Sequence, residues 1–239
     1  MRKLIAGNWK MNGLKRDLEE IAQLAESNVQ NCDVLICPPF TLLPLCIEGF
    51  ATSGIKFGGQ DCHAQASGAF TGEISAQMLK DIGAGYVING HSERRHYHQE
   101  TNGQVRAKAE AAISAGLIPI VCVGEVLAER EAGQAQDIVE QQVRGSVPQA
   151  GEVVVAYEPV WAIGTGLTAS SDDIAAMHTH IRKILKSMRP DASAIRLLYG
   201  GSVKGTNAPE ILSCENVNGA LVGGASLKAK DFLEIIGAA

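Results

Sequence analysis

The sequence predicts a single-domain α/β protein, a (β/α)8 barrel that spans residues 1–239. Eight short apolar runs recur along the 239 residues, and each ends in glycine, proline or a polar residue. Several segments between these runs show the 3.6-residue apolar periodicity of helices. Near-continuous apolar strands that alternate with helices are typical of a parallel sheet covered by helices. Eight such units in this length favour a closed barrel over an open, doubly wound sheet.

The predicted strands are spaced so that a helix fits after most of them. They cover residues 3–7, 33–37, 55–58, 86–90, 118–123, 153–157, 196–199 and 220–222. Three intervening segments carry apolar stripes at helical spacing. The stripes contain Leu14, Leu18, Ile21 and Ala25; Val105, Ala109, Ala112 and Ile113; and Ile174, Met177, Ile181, Leu185 and Met188. Residues 170–173, with the sequence Ser-Ser-Asp-Asp, form an N-cap signal before the last stripe.

Composition and punctuation favour one globular domain. The chain lacks an interior linker or low-complexity tract that would divide it. Its longest irregular stretches are 59–72 and 159–169, and long ordered loops are usually functional. The formal net charge of −5 argues against a nucleic-acid or anionic-membrane surface. No apolar run approaches the roughly 20 residues of a membrane span, and no leader is visible. Six cysteines without CxxC spacing predict reduced thiols in the cytoplasm.

Polar and charged residues follow the predicted strands, where a barrel carries its chemistry. They are Asn8 and Lys10 after the first strand, His91 after the fourth, Glu125 after the fifth, Glu158 after the sixth, Gly200-Gly201-Ser202 after the seventh and Gly223-Gly224 after the eighth. The convergence of a cation, an imidazole and two carboxylates on one rim predicts an active site there. The paired glycines fit a phosphate cradle made of backbone N–H groups.

Each of these residues also has a structural interpretation. Lys10 suits an ordinary surface, and His91 suits the cap of the helix that follows it. Glu158 is harder to explain structurally, because a carboxylate at the end of a buried strand must be paired, hydrated or functional. We interpret Glu125 as a structural partner of a neighbouring loop. The two glycine pairs could be turns without a ligand.

The sequence predicts neither a metal site nor a redox cofactor. His96 and His98 stand two residues apart and do not share a helix face, and no other ligands surround them at metal-binding spacing. Residues 164–166 lack the remaining pattern of a dinucleotide-binding loop. A carboxylate, a histidine and a lysine beside a phosphate anchor suit proton transfer next to a carbonyl. Such a reaction needs a lid, and the apolar stretch within 159–169 is the predicted lid.

Five motifs, spread from the first predicted strand to the last, resemble those of the triosephosphate isomerase family, and the resemblance covers essentially the whole chain. They occupy residues 7–12, 90–95, 156–166, 199–202 and 221–227. The resemblance implies a TIM barrel that interconverts dihydroxyacetone phosphate and D-glyceraldehyde 3-phosphate through an enediolate in glycolysis and gluconeogenesis. It further implies that Glu158 is the base and that a neutral His91 is the electrophile. The helix starting after His91 would disfavour its charged form.

The resemblance also assigns the remaining site residues. Lys10 and Asn8 would bind the substrate, and Glu93 would be an assisting carboxylate. The substrate phosphate would be held by backbone N–H groups of four residues. These are Gly164, Ser202, Gly223 and Gly224. Glu125 would pair with the lid near Trp161, in agreement with its structural interpretation.

The family is usually dimeric, so the resemblance implies a homodimer through loop 60–72, with Thr71 reaching the partner's site. Three positions depart from the family pattern, namely Asn89, the Asn102-Gly103 pair and Leu167. We expect Asn89 to point into the barrel with His91 and to have a polar neighbour or a buried water. The Asn102-Gly103 pair weakens the start of the next helix.

Two other functions remain open at this point. A hydrolase could use Glu125 and Glu158 as its two carboxylates. That hypothesis leaves Lys10 and the glycine turns without a role. A barrel without catalysis could serve as a binding scaffold, since fold alone does not establish function. Every expected catalytic and anchoring position is filled, which favours the isomerase.

Overall fold

Eight parallel strands form a closed barrel and follow one another around it in sequence order. The structure is a computed structural model that describes residues 1–27, 29, 31–163 and 168–239. The strands are β1 (Leu4–Asn8), β2 (Asp33–Cys37), β3 (Lys56–Gly59), β4 (Tyr86–Asn89), β5 (Ile118–Val123), β6 (Val154–Tyr157), β7 (Arg196–Tyr199) and β8 (Gly219–Val222). Pairing of Leu4 with both Asp33 and Gly219 closes the barrel at β1. The predicted (β/α)8 fold is confirmed.

Helices follow the strands and cover the outside of the barrel. They are α1 (Leu18–Glu26), α2 (Leu43–Gly49), α3 (Ala76–Asp81), α4 (Ser92–Tyr97), α5 (Asn102–Ser114), α6 (Leu127–Glu131), α7 (Ala135–Ser146), α8 (Ser171–Met188), α9 (Ala208–Ser213) and α10 (Ala229–Gly237). Ser170 caps α8, as its sequence predicts. The start of α5 is less weak than expected, because Thr101 and Gln104 form a capping box there. No helix in the described ranges is long and apolar enough to cross a membrane.

The core consists of two apolar layers, one on each side of the strands. Inside the barrel, alternate strand residues such as Leu4, Leu35 and Ile88 form a closed cluster. Outside it, the intervening residues pack against the helices in a larger cluster. This alternation leaves the carboxyl ends of the strands as the place where polar side chains gather.

The expectation that Asn89 points into the barrel is wrong. Its strand neighbour Ile88 belongs to the interior cluster, so Asn89 points to the helix layer. There its amide donates to Sγ of Cys62 at 3.6 Å, while its Oδ1 has no partner in the described structure. Gly90 has φ of +68°, which interrupts the strand alternation between Asn89 and His91. Counting back from His91 therefore assigns Asn89 to the wrong face.

Candidate active site

The predicted site residues converge on one cavity at the carboxyl ends of the strands. The cavity has a volume of about 290 Å³. Seven of the predicted residues line it, namely Asn8, Lys10, His91, Glu158, Ser202, Gly223 and Gly224. Glu93 joins the site through an ion pair with Lys10. Gly164 and Leu167 lie outside the described residues.

Glu158 is held by its backbone at the end of β6. Its N–H donates to the carbonyl of Val123 at 2.7 Å, which extends the β5–β6 ladder by one residue. A side chain at Gly124 would put Cβ only 1.7 Å from the Glu158 carbonyl oxygen, so the close approach requires glycine. The position of the carboxylate is therefore determined by two neighbouring strands rather than by a free loop.

The Glu158 carboxylate is almost fully buried and accepts three hydrogen bonds. The backbone N–H of Ser92 donates at 2.9 Å and the Ser92 hydroxyl at 3.2 Å. Nε2 of His91 lies 2.9 Å from Oε1. Burial raises the pKa of Glu158, but His91 and the Ser92 N–H more than offset this effect, so the pKa is lowered. Glu158 is thus a buried carboxylate whose lowered pKa favours its ionised form, and its main partners are Ser92 and His91.

His91 is the N-cap residue of α4, and its ring is oriented by that helix. Its Nδ1 accepts the backbone N–H of Glu93 at 3.2 Å. An atom that accepts a hydrogen bond carries no proton, so this pattern assigns the ring proton to Nε2, facing Glu158. The ring is neutral while Nδ1 accepts this bond, whereas the Glu93 carboxylate oxygen 3.6 Å from Nδ1 favours the imidazolium.

Two influences on the pKa of His91 oppose each other. Burial lowers this pKa, and the Glu158 and Glu93 carboxylates raise it by more, so that it lies above its usual value. The bond to Nδ1 acts against protonation, because an imidazolium would have to give it up. The largest increase in the pKa of His91 comes from the Glu158 carboxylate. This increase depends on the contact between that carboxylate and Nε2 of His91.

Lys10 lines the same cavity as Glu158 and has a tightly constrained backbone. Its φ is +53°, an uncommon value for a residue with a side chain. Its N–H donates to Oδ1 of Asn8 at 3.0 Å, and its carbonyl accepts from Gln60 at 2.8 Å. Its Nζ donates to Oε1 of Glu93 at 2.7 Å. These contacts keep the ammonium group in the cavity wall.

The turns after β7 and β8 form another part of the cavity wall. Ser202, Gly223 and Gly224 line it together with Lys204. The turn after β7 is closely packed, because a Cβ on Gly201 would lie 2.2 Å from the hydroxyl oxygen of Tyr199. Backbone groups therefore come near the cavity surface there without side chains to cover them.

Glu125 faces away from the cavity and has the structural role expected for it. It is fully buried, and its Oε1 accepts from Tyr157 Oη at 3.1 Å and Trp161 Nε1 at 2.9 Å. Arg130 stacks over the Trp161 ring at 4.6 Å from its centroid. A hydrolase would need the Glu125 and Glu158 carboxylates in one cavity. Glu125 does not line the cavity that contains Glu158, so the structure does not support that hypothesis.

Sequence reasoning missed Ser92, although its two hydrogen bonds to the Glu158 carboxylate are central to the site. A serine at the start of a helix has an obvious capping interpretation, which conceals any other role. In the described residues, no group of three or more histidine, cysteine, aspartate and glutamate side chains is arranged to hold a metal ion.

Comparisons with known proteins agree with this geometry. Residues 3–239 match the family model described as triosephosphate isomerase. A triosephosphate isomerase of Afipia carboxidovorans is 57% identical over 242 residues, which cover 98% of this chain and 96% of the relative. One of Xanthobacter flavus is 54% identical with the same two coverages. The crystal structure of triosephosphate isomerase from Bartonella henselae superposes with a TM-score of 0.94 at 46% identity, covering 100% of this chain and 99% of that one.

Proposed function

The chain belongs to the triosephosphate isomerase family, and from this premise we propose how its residues carry the reaction. It is an isomerase that interconverts dihydroxyacetone phosphate and D-glyceraldehyde 3-phosphate, a step of glycolysis. We assign proton transfer between the two substrate carbons to Glu158. The observation that carries this assignment is an ionised, almost fully buried carboxylate in the wall of a cavity that also contains a lysine and a histidine.

The resting contacts of Glu158 explain how the base is held before substrate binds. Ser92 and His91 satisfy its carboxylate, which keeps it ionised in a place from which water is largely excluded. A substrate carbonyl that accepts the Nε2 proton of His91 takes over one of these contacts. The carboxylate is then released to reach the carbon-bound proton. Binding and activation of the base are coupled in this way.

His91 and Lys10 stabilise the charge that develops on the substrate oxygens. A neutral imidazole donates from Nε2 without becoming an acid that would hold the proton too tightly. The Lys10 ammonium supplies a fixed positive charge, and Asn8 binds the substrate beside it. Glu93 orients that ammonium through the 2.7 Å ion pair and assists as a second carboxylate. Each preorganised donor of this kind contributes roughly 3–4 kcal/mol to catalysis.

The phosphate group is assigned to the part of the cavity wall formed by the turns after β7 and β8. Backbone N–H groups of Ser202, Gly223 and Gly224 form its cradle, and Gly164 adds one from the segment outside the described residues. Support comes from the short turns after β7 and β8 and from their position in the same cavity as Lys10. Residues 159–169 act as the lid that excludes water from the enediolate.

Deuterium incorporation tests the proton-transfer assignment. The reaction is run in D2O from dihydroxyacetone phosphate, and the product is trapped and examined by NMR. A carboxylate base exchanges its proton with solvent, so we expect deuterium at carbon 2 of D-glyceraldehyde 3-phosphate. The proton on a buried carboxyl group exchanges slowly with solvent. Deuterium in only a fraction of the product molecules is therefore sufficient. Fast turnover without any deuterium would indicate hydride transfer and contradict the role of Glu158.

A homodimer through loop 60–72 is the second part of the proposal. A cavity of about 390 Å³ lies beside the site, lined by Lys10, Glu93 and exposed apolar side chains. Met11 in its wall is 97% exposed and Tyr97 is 74% exposed, while Phe70 is exposed in the loop itself. Large apolar groups concentrated on one face favour a protein partner. The loop of a second copy, with Thr71 inserted beside Lys10, is the occupant that we assign.

Replacement of Thr71 by Glu is expected to convert the dimer into a monomer. The new carboxylate would have to be buried at the interface next to the Glu93 carboxylate, which is strongly unfavourable. Sedimentation equilibrium should give about twice 25.2 kDa for the wild type and about 25.2 kDa for the variant. Thr52→Glu, an exposed position before β3, is the matched control and should remain dimeric. A monomeric wild type would end the dimer proposal.

We also propose a cytoplasmic location, and the cysteines support it. All six cysteines carry free thiols, and five of them are buried. Reduced cysteines are typical of proteins that work in a reducing compartment. A glycolytic reaction is consistent with that compartment.

A further inference from the structure

Arg95 in α4 connects the ends of two strands directly behind the site. Its Nε donates to the carbonyl of Gly90 at 2.9 Å, and its Nη2 donates to the carbonyl of Cys122 at 3.0 Å. Gly90 precedes His91, and Cys122 lies near the end of β5, next to the strand that carries Glu158. The guanidinium therefore holds together the backbone that supports the imidazole and the backbone beside the base.

The remaining hydrogen bonds of Arg95 also go to neutral atoms. Its Nη1 donates to Oδ1 of Asn102 at 2.7 Å, and its Nη2 donates to the hydroxyl of Ser146 at 3.0 Å. None of these acceptors is a carboxylate, although arginine forms its strongest pairs with carboxylates. The positive charge of Arg95 is thus satisfied in hydrogen bonds but is not neutralised by them.

This charge lies close enough to Glu158 for the two groups to interact. A second cavity, of about 220 Å³, lies behind the base, and both Arg95 and Glu158 form part of its wall. Burial lowers the pKa of the Arg95 guanidinium, and the negative charge of Glu158 acts in the opposite direction. Interaction between two charges is mutual, so Arg95 favours the ionised form of Glu158.

Other charged and titratable groups also face Glu158. On the substrate side, His91 and Lys10 lower the pKa of Glu158, and Lys10 is itself paired with Glu93. Behind the base, burial keeps the Cys122 thiol protonated, with its pKa well above the usual value. The cavity wall also contains His96 and Glu129, which are at its solvent-facing side.

We propose that Arg95 is a positioning residue for the reaction, whose unneutralised charge behind Glu158 keeps that carboxylate ionised when it leaves Ser92 and His91 for the substrate. The neutral side chain of Asn102 is what leaves the charge available. This inference rests on the proposed role of Glu158 as the base. It adds a residue that does not touch substrate but sets the pH range in which the base is active.

Two variants test the inference, one that removes the charge and one that neutralises it. Arg95→Gln keeps a hydrogen-bond donor without the charge. Asn102→Asp is isosteric, retains the bond to Nη1 and places an acidic residue in the first turn of α5, which favours folding. We expect both to raise the pKa of Glu158 by on the order of 0.5 pH unit. The acid limb of kcat/KM, once corrected for the second ionisation of the substrate phosphate at about pH 6, should move to higher pH by the same amount.

The titration is measured directly as well as through activity. The δ-carboxyl carbon of Glu158 is followed by 13C NMR in the free enzyme and assigned with Glu158→Gln. Asn102→Ala removes the hydrogen bond without adding charge, and Gln104→Glu adds charge at a side chain that caps Thr101 instead. In both controls the pKa of Glu158 should lie within about 0.1 pH unit of its wild-type value. This difference is much smaller than the effect of a charge placed close to the carboxylate.

The outcomes separate this inference from the role of Glu158 itself. An unchanged Glu158 titration in folded Asn102→Asp overturns the inference, even if Glu158 proves to be the base. Loss of activity in Arg95→Gln without a shift in titration also overturns it, because Arg95 would then be only a structural clamp. If Glu158→Gln retained full activity, the proposed base would be wrong while the charge coupling could still be measured.

Discussion

Glu158→Gln is expected to lower kcat by about 10³- to 10⁴-fold, the contribution of a well-placed general base. An amide has the shape of the carboxylate but cannot take up the carbon-bound proton. The variant should fold, because the Gln carbonyl oxygen can replace Oε2 as the acceptor of the Ser92 N–H, and the Gln amide can donate to the Ser92 hydroxyl. KM should change by only a few fold, since the phosphate cradle and Lys10 are untouched. A coupled assay with both substrates measures these constants.

Glu129→Gln is the matched control for this experiment. Glu129 belongs to the cavity behind the base and caps Val126, and a glutamine preserves that capping bond. Its activity should remain within about twofold of the wild type, a change worth less than 0.5 kcal/mol. If Glu158→Gln lost no more activity than this control, another group would have to be the base. If the wild type itself were folded and inactive, the proposed isomerase mechanism would be wrong.

The strands could be predicted from the sequence to within one residue at either end. Strands buried on both faces are short, continuous apolar runs, and the glycine or polar residue after each run marks its end. The convergence of Lys10, His91 and Glu158 was also predictable. In a closed parallel barrel, residues after different strands meet on one rim, even when nearly 150 positions separate Lys10 from Glu158.

The contacts within the site could not be predicted. The sequence contains no signal that the Glu158 side chain turns towards Ser92 and His91, because this depends on its rotamer and on the space left by Gly200. The error at Asn89 has a related cause. Alternation is a rule for regular strands, and the positive φ of Gly90 ends the regular strand one residue before His91.

Backbone geometry and the neighbouring charges act in opposite directions on the protonation of His91. The N–H of Glu93 at the start of α4 requires a lone pair on Nδ1 of His91, so the proton must be on Nε2. That proton faces the base, and in the proposed mechanism it faces the substrate carbonyl once substrate has bound. The negative charge of Glu158 would favour an imidazolium, and release of the carboxylate removes this influence when the electrophile is needed.

Lys10→Met is the second change with a large expected effect, a loss in kcat/KM of about 10³-fold. Removal of the ammonium takes away the fixed positive charge that faces the enediolate and the phosphate. It also leaves the Glu93 carboxylate unpaired beside a dianionic substrate, which adds repulsion. Met tolerates the φ of +53° no worse than Lys, so the backbone strain is unchanged. Lys15→Met, on an exposed turn, is the control and should keep its activity.

A double-mutant cycle separates the two parts of this loss. Glu93→Gln in the Lys10→Met background removes the unpaired carboxylate without restoring the ammonium. If repulsion contributes, the double variant should recover about tenfold of the lost kcat/KM, equivalent to about 1.4 kcal/mol of coupling. The remaining loss then measures the charge of Lys10 itself. A double variant that recovers all activity would show that Lys10 acts only by neutralising Glu93, and a Lys10→Met variant with wild-type kcat/KM would remove Lys10 from the mechanism.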